Sequence, residues 1–205
     1  MTREAETGSR EAGAVVAEGA KDKAEANADA RLIIAASEVD ANLFYATRFL
    51  APDPFIFVWQ GGEKILLMSD LEVDRARAQA AVDTVLPLHE YEERAKQAGA
   101  ESPEMLDALV ELLKERRIQR LQVPGNFPAE YADGLRERGL CLTVKQAPFF
   151  DARLVKSDTE VAWVADALRR TEKALDAAIG MIREAEVRDG VLWWRDAVLT
   201  AEVLK

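Results

Sequence analysis

Between residue 31 and residue 150 the apolar positions of this chain change their period repeatedly, and each change marks an element. Leu32-Ile33-Ile34-Ala35-Ala36 is a short continuous apolar run, the pattern of a strand buried on both faces. Ser37 is placed to cap a helix carrying Val39, Leu43 and Phe44 on one face. Ala51-Pro52-Asp53-Pro54 breaks that helix. Phe55 to Trp59 then reads as a strand, Gln60-Gly61-Gly62-Glu63 as a tight turn and Ile65 to Met68 as the returning strand, which together predict a β-hairpin.

Ser69 or Asp70 opens a further helix to Ala81, and Val82 to Leu88 reads as a strand. Glu90 to Ala98 is a charged helix ending near Gly99. Ser102 as cap and Pro103 at the first turn predict the next helix, with Leu106, Leu109, Val110 and Leu113 on its buried stripe. Leu121-Gln122-Val123 is a short strand. Pro128 to Arg138 is a helix closed by Gly139, and Leu140, Leu142 and Val144 alternate as in a strand. Strands separated by helices of this length predict an α/β domain: a mixed sheet flanked by helices.

The two flanks differ from this middle. Residues 1–30 hold no aromatic residue and few large apolar ones, so they cannot bury enough surface to offset their ordering entropy; they read as a disordered or weakly helical leader. At the other end, Ser157-Asp158-Thr159-Glu160 has the form of a capping box. Val161, Val164, Leu168, Leu175, Ile179 and Ile182 follow at helical spacing and predict a helix of about 28 residues, long beside a mean of about 11–12. The organisation expected is therefore a leader at 1–30, an α/β domain at 31–155 and the start of a further unit at 156–205.

Charge narrows the function classes. There are 27 Lys+Arg against 37 Asp+Glu, a net charge of -10. That balance speaks against general binding to nucleic-acid phosphates or anionic membrane surfaces, which both require clustered cations. No apolar run approaches the roughly 18 residues that span a bilayer. Cys141 is the only cysteine, so no intrachain disulfide can form, and a cytoplasmic protein is the expectation.

Few residues offer chemistry. The one histidine, His89, lies between Leu88 and Glu90, with Glu92 and Glu93 beyond; this reads as a strand end followed by a solvated helix start, where acids suit the helix dipole, rather than as a metal site. Cys141, in an alternating strand, reads as a buried structural thiol. No G-x-S-x-G elbow is present, Gly61-Gly62 belongs to no phosphate-binding pattern, and no carboxylate pair stands out among the acids. Trp193 and Trp194 read as one inward-packing side chain and one facing a partner surface.

One junction carries more information. Phe149-Phe150-Asp151-Ala152-Arg153-Leu154-Val155-Lys156-Ser157-Asp158-Thr159-Glu160-Val161 resembles the segment R-x-x-K-[ST]-x-x-E-[IV] that joins the N-terminal α/β domain of Xaa-Pro peptidases and creatinases to their pita-bread catalytic domain. Upstream, Asn42-Leu43-Phe44-Tyr45-Ala46-Thr47-Arg48-Phe49 resembles the N-x-x-Y-L-T-G-F helix end of those domains, departing at Ala46 and at Arg48, where the family carries Leu and a helix-ending Gly. Pro52-Asp53-Pro54-Phe55, Leu67 to Glu72, and Val191-Leu192-Trp193-Trp194 with Leu199-Thr200-Ala201-Glu202 match further positions in order. The resemblance covers about residues 31–205.

The resemblance implies an α/β domain followed by a long helix that begins a truncated pita-bread domain. It implies a parent that hydrolyses the bond before proline with two divalent metal ions, often manganese, held by two Asp, one His and two Glu of the catalytic domain. With His89 in the first domain, it places no catalytic residue and no metal ligand in this chain. It implies a homodimeric parent in which the first domain helps to shape the partner's active-site mouth, for which Tyr45, Arg48 and Asp53 are the candidates. Two alternatives stay open: a stand-alone non-catalytic binding module, and a fragment of a creatinase-like amidinohydrolase.

Overall fold

The computed structural model describes residues 28–204; the leader expected at 1–30 lies almost wholly outside the described residues. The described chain divides into two compact units, one ending at Arg153 and the other beginning at Leu154.

The first unit is built on a six-stranded sheet. Its elements run β1 (Ala30–Ala35), α1 (Ala41–Thr47), β2 (Phe55–Gln60), β3 (Glu63–Met68), α2 (Asp70–Gln79), β4 (Thr84–Pro87), α3 (Leu88–Gln97), α4 (Met105–Glu115), β5 (Arg120–Pro124), α5 (Ala129–Glu137) and β6 (Cys141–Lys145). The strand order is β4-β3-β2-β1-β5-β6. β2 pairs antiparallel with both β1 and β3, and the other pairings are parallel, so β2 alone runs against the rest. The mixed α/β sheet expected from the sequence is thus the architecture found.

Alternation along the strands sorts the core into two layers. Leu32, Ile34, Ile56, Val58, Ile65, Leu67, Leu121 and Val123 face α3, α4 and α5, packing with Tyr91, Leu109, Leu112, Leu113 and Leu135. Ile33, Phe55, Phe57, Leu66 and Met68 face α1 and α2, packing with Leu43, Ala46, Val73 and Ala76 and with Phe149 and Phe150. Residues Phe55 to Val58 are buried on both faces, each side chain contributing about 1.5–3 kcal/mol. This explains why β1, β2 and β3 read as continuous apolar runs.

Polar ties close the ends of the sheet. Asp29 accepts from the backbone N–H groups of Gln119 and Arg120 at 3.0 and 2.9 Å and from Arg120 Nε and Nη2 at 3.1 and 2.8 Å, which fixes the start of β1 beside β5. Glu63, at the start of β3, accepts from Arg116 Nη1 at 2.7 Å and from Thr84 Oγ1 at 2.8 Å; Gln60 Nε2 donates to the Arg116 carbonyl at 3.1 Å. These bonds join the hairpin, β4 and the end of α4.

Several local expectations are corrected. Asp40, not Ser37, caps α1, accepting from Leu43 N at 2.7 Å. The Ser37 hydroxyl instead accepts from Ala51 N at 2.8 Å and so joins the two ends of the α1 excursion. Of the face assigned to α1, Leu43 is buried, whereas Val39 precedes the helix and is 86% exposed. α4 begins at Met105 after Glu104, two residues later than a Ser102 cap would place it, because the Asp107 carboxylate accepts from Glu104 N at 3.0 Å. α2 stops at Gln79, and Leu88, expected in a strand, opens α3. Cys141 is exposed, because β6 is the outer strand of the sheet and the thiol sits at its first residue.

The second unit contains α6 (Asp158–Glu184) and a three-stranded antiparallel sheet of β7 (Glu186–Arg188), β8 (Val191–Trp194) and β9 (Ala197–Val198). The expected capping box is present: Ser157 Oγ accepts from Glu160 N at 3.3 Å and Glu160 Oε2 accepts from Ser157 N at 3.0 Å. The helix has 27 residues, none of them buried. Trp193 and Trp194 are both half-buried, and Trp194 Nε1 donates to Glu184 Oε2 at 3.3 Å. Among the described residues no helix is long and apolar enough to cross a membrane.

Two outcomes check this account. Arg48 takes the left-handed conformation (φ 51) at the C-terminus of α1, a place that suits glycine. Arg48→Gly and Arg48→Val both delete the guanidinium, so their difference isolates the backbone. The Gly variant is expected to be more stable by about 1–2 kcal/mol in denaturant unfolding, and equal stability would sink the account. The second outcome concerns acid. Hydrogen bonds from Arg120 hold the Asp29 carboxyl at about 2, below its ordinary 3.8. A depressed carboxyl stabilises the fold fully above the unfolded value and loses that contribution as pH falls through the folded value. Between about pH 4 and pH 2 the wild type should therefore lose stability more steeply than Asp29→Asn; parallel acid-unfolding curves would exclude the clamp.

Candidate functional site

The α1 side of the sheet carries the one assembly that gathers the residues singled out in the sequence. Tyr45 stands half-buried on α1 because the helix is short and its last turn lies beside the chain that re-enters at Phe149-Phe150. The Tyr45 and Phe150 rings lie 6.0 Å apart, centroid to centroid. Phe150 lies 5.7 Å from Trp59 on β2 and 4.9 Å from Phe149 in an edge-to-face contact. Tyr45, Phe150 and Trp59 thus form a row in which Phe150 is the buried middle member.

Cations line both ends of the row. The Arg48 guanidinium lies 5.0 Å from the centre of the Tyr45 ring and that of Arg153 5.8 Å from it; Arg153 also donates to Asn42 Oδ1. At the other end Arg31 lies 5.3 Å from Trp59 and 5.7 Å from Phe150, and Lys64 Nζ lies 5.7 Å from Trp59. Lys64 also donates to the Ala46 carbonyl at 2.8 Å. Burial lowers the pKa of its ammonium, against the pull of Asp83, and the nearby charge of Arg48 lowers it further. Such contacts contribute about 0.5–1 kcal/mol each where solvent reaches them.

Of the three candidates expected from the sequence, Tyr45 and Arg48 meet at this row. Asp53 sits exposed in the Pro52–Pro54 bend, and among the described residues no hydrogen bond or ion pair joins it to either. Arg31, Trp59, Lys64, Phe150 and Arg153 belong to the assembly without having been singled out. For Phe150 and Arg153 the signal lay in the junction motif itself. Arg31, Trp59 and Lys64 carry no local signal, since strand pairing brings them together.

The arrangement offers stacking surfaces and positive charge. It contains no nucleophile with a general base, and among the described residues no group of three His, Cys, Asp or Glu side chains is placed to hold a metal ion. His89 Nδ1 pairs with Asp70 Oδ1, both half-exposed, at the facing starts of α3 and α2.

If Phe150 is the keystone of the row, truncating it must loosen both ends. Phe150→Ala is expected to cost about 3–5 kcal/mol of unfolding free energy, and Tyr45→Phe, which keeps the ring contact, under about 1 kcal/mol. A cost for Phe150→Ala near that of Tyr45→Phe would show that the row is not a packed unit.

Comparison with known proteins bears on the fold. No protein-family profile and no curated protein sequence matches the chain. Solved structures do. The prolidase from Pyrococcus horikoshii OT3 is 20% identical, with a TM-score of 0.54, over 78% of this chain and 40% of its own. The Xaa-Pro dipeptidase from Bacillus anthracis is 15% identical, with a TM-score of 0.60, over 78% of this chain and 40% of its own. The X-Pro aminopeptidase from Thermotoga maritima MSB8 is 13% identical, with a TM-score of 0.60, over 77% of this chain and 42% of its own. The chain therefore spans about two fifths of the length of the structures it matches. At these identities the likeness is one of fold: this chain has the α/β fold found within prolidases and Xaa-Pro aminopeptidases.

Proposed function

We propose that this chain is the N-terminal, non-catalytic portion of an Xaa-Pro aminopeptidase- or dipeptidase-like metallohydrolase, with the second unit as the start of its catalytic domain. The supporting observation is the asymmetry of the structural likeness: about four fifths of this chain aligns with about two fifths of peptidase chains. The junction motif around Arg153, Lys156 and Glu160 supports the same reading, because it occupies the boundary between the two compact units.

In this reading the catalytic carboxylates and histidine, and the two divalent cations they bind, belong to residues outside this chain. When bound, such a metal pair activates water and polarises the substrate carbonyl. What this chain contributes is a rigid sheet that presents Tyr45, Arg48 and the rest of the aromatic–cation row, together with Asp53, for dimer contact and for shaping the partner's active-site mouth. Stacking surfaces flanked by positive charge suit such a positioning role.

The expected outcome is that the purified chain releases no N-terminal residue from an Xaa-Pro peptide, with or without added manganese. A chain extended by the residues that its gene encodes after Lys205 should do so, and mutation of Tyr45 or Arg48 in that longer chain should raise KM more than it lowers kcat. Turnover by the 205-residue chain, contaminants excluded, would overturn the reading. A stop codon directly after Lys205 would favour the stand-alone binding module, and release from a guanidino substrate alone would favour the creatinase-like parent.

A further inference from the structure

Lys64 holds its charge under poor conditions. It lies on β3 directly opposite Trp59 of β2, and its half-buried side chain places Nζ 5.7 Å from the centre of that ring. Among the described residues Nζ makes one hydrogen bond, 2.8 Å to the carbonyl of Ala46, and no carboxylate pairs with it. Lys114 and Lys145, by contrast, meet Glu111 at 2.7 Å and Asp151 at 2.9 Å. Asp83 attracts the Lys64 ammonium through space, yet its Oδ2 is taken up by the backbone N–H of Lys64 at 2.7 Å.

The same surroundings suit a neutral amine. An ammonium drawn partly out of water and set near a second cation, here Arg48, gives up its proton more readily than a solvated one. The amine that remains still donates an N–H to the Ala46 carbonyl, and its lone pair is left over. A desolvated lysine beside another cationic group is the usual form of an activated amine nucleophile.

The neighbouring charges select the electrophile. An acyl donor would leave a neutral amide at this position, and an aldehyde a neutral or cationic imine. Carbon dioxide leaves an anion. Arg48 presses on Lys64 from one side, and Arg31 lies 5.3 Å from the same Trp59 ring. Both keep further contacts of their own and enter only as positive charges, which favour the one product that turns a cation into an anion. Carbon dioxide is also small enough to reach an amine that is half-buried.

We propose that Lys64 is a carbon dioxide-binding residue, forming a carbamate that the positive charge of Arg48 stabilises. The Nζ lone pair attacks the carbon of carbon dioxide, an N–C bond forms, one C=O electron pair moves to oxygen, and an N–H proton leaves to solvent. One N–H stays for the Ala46 carbonyl. The proposal does not depend on the peptidase reading.

Carbon-13 NMR of the 205-residue chain at neutral pH, with ¹³C-bicarbonate in equilibrium with dissolved carbon dioxide, tests it. Expected is one carbamate carbonyl resonance beyond that of the chain's α-amino group. It should vanish in Lys64→Arg, whose guanidinium keeps a donor for Ala46 but stays protonated. Arg48→Gly removes the neighbouring charge and suits the left-handed backbone at that position, so the fold is kept; there the resonance should fall about threefold or more. Should Lys64→Arg fold poorly, the wild type and Arg48→Gly decide. The site is overturned if no second carbamate resonance appears, if it survives in folded Lys64→Arg, or if its intensity is unchanged in Arg48→Gly.

Discussion

Everything in the first unit depends on β2 being buried on both faces. Phe55, Ile56, Phe57 and Val58 are all at or below 1% exposure, so the strand needs apolar cover above and below it. The chain supplies that cover from both directions. α1 and α2 come from the segments immediately around the hairpin and close the side of Phe55 and Phe57. α3, α4 and α5 come later and close the side of Ile56 and Val58. A strand solvated on one face would have needed only one of these layers. The two-sided burial is therefore what makes the unit a three-layer domain and what ties local pairing to contacts far apart in sequence.

This constraint also explains which parts of the fold were legible in the sequence. Apolar runs at Leu32, Phe55 and Ile65 are the direct print of two-sided burial, and Gly61-Gly62 is the print of a two-residue turn whose residues take positive φ (57° and 95°). Helix starts were less legible, because several residues near each start could act as cap. Ser37 had the chemistry of a cap but was needed at Ala51, and Asp40 had the position; the choice is made by the return of the chain after α1, which no local window contains. Cys141 failed for a related reason. Alternation at Leu140, Leu142 and Val144 shows that a strand exists, yet not that it lies at the edge of the sheet, where β6 leaves the thiol exposed.

The aromatic–cation row shows the same division between local and distant information. Tyr45 and Arg48 were singled out through the resemblance of their segment, and they meet because they sit three residues apart at the end of one short helix. Arg153 reaches Asn42 across 111 positions and Arg31 reaches Gln122 across 91, so their membership is a consequence of sheet order. Such long-range contacts carry a loop-closure cost that the apolar layers have already met, and weak cation–ring contacts can then be made at little further expense. The row is thus secondary to the core in energy, and buried Phe150 anchors it.

The second unit stands in a different balance. A 27-residue helix with no buried residue draws its stability from its capping box, from pairs such as Arg170 with Asp166 at 2.8 Å, and from intrinsic propensity. Capping contributes about 1 kcal/mol and an exposed pair a few tenths, whereas most helices in proteins are held by an apolar face packed against a core. α6 has such a face: Val161, Val164, Leu168, Leu175 and Ile182 recur at helical spacing, and all are roughly half exposed. A stripe of this length repeats over about six turns, too regularly for scattered surface apolar residues, which are normal singly and need no explanation. Its period is that of a helix made to be covered along its whole length, and the small β7–β8–β9 sheet, only three, four and two residues per strand, is too short to cover it. Within the second unit, α6 therefore keeps an apolar face that its own small sheet does not bury.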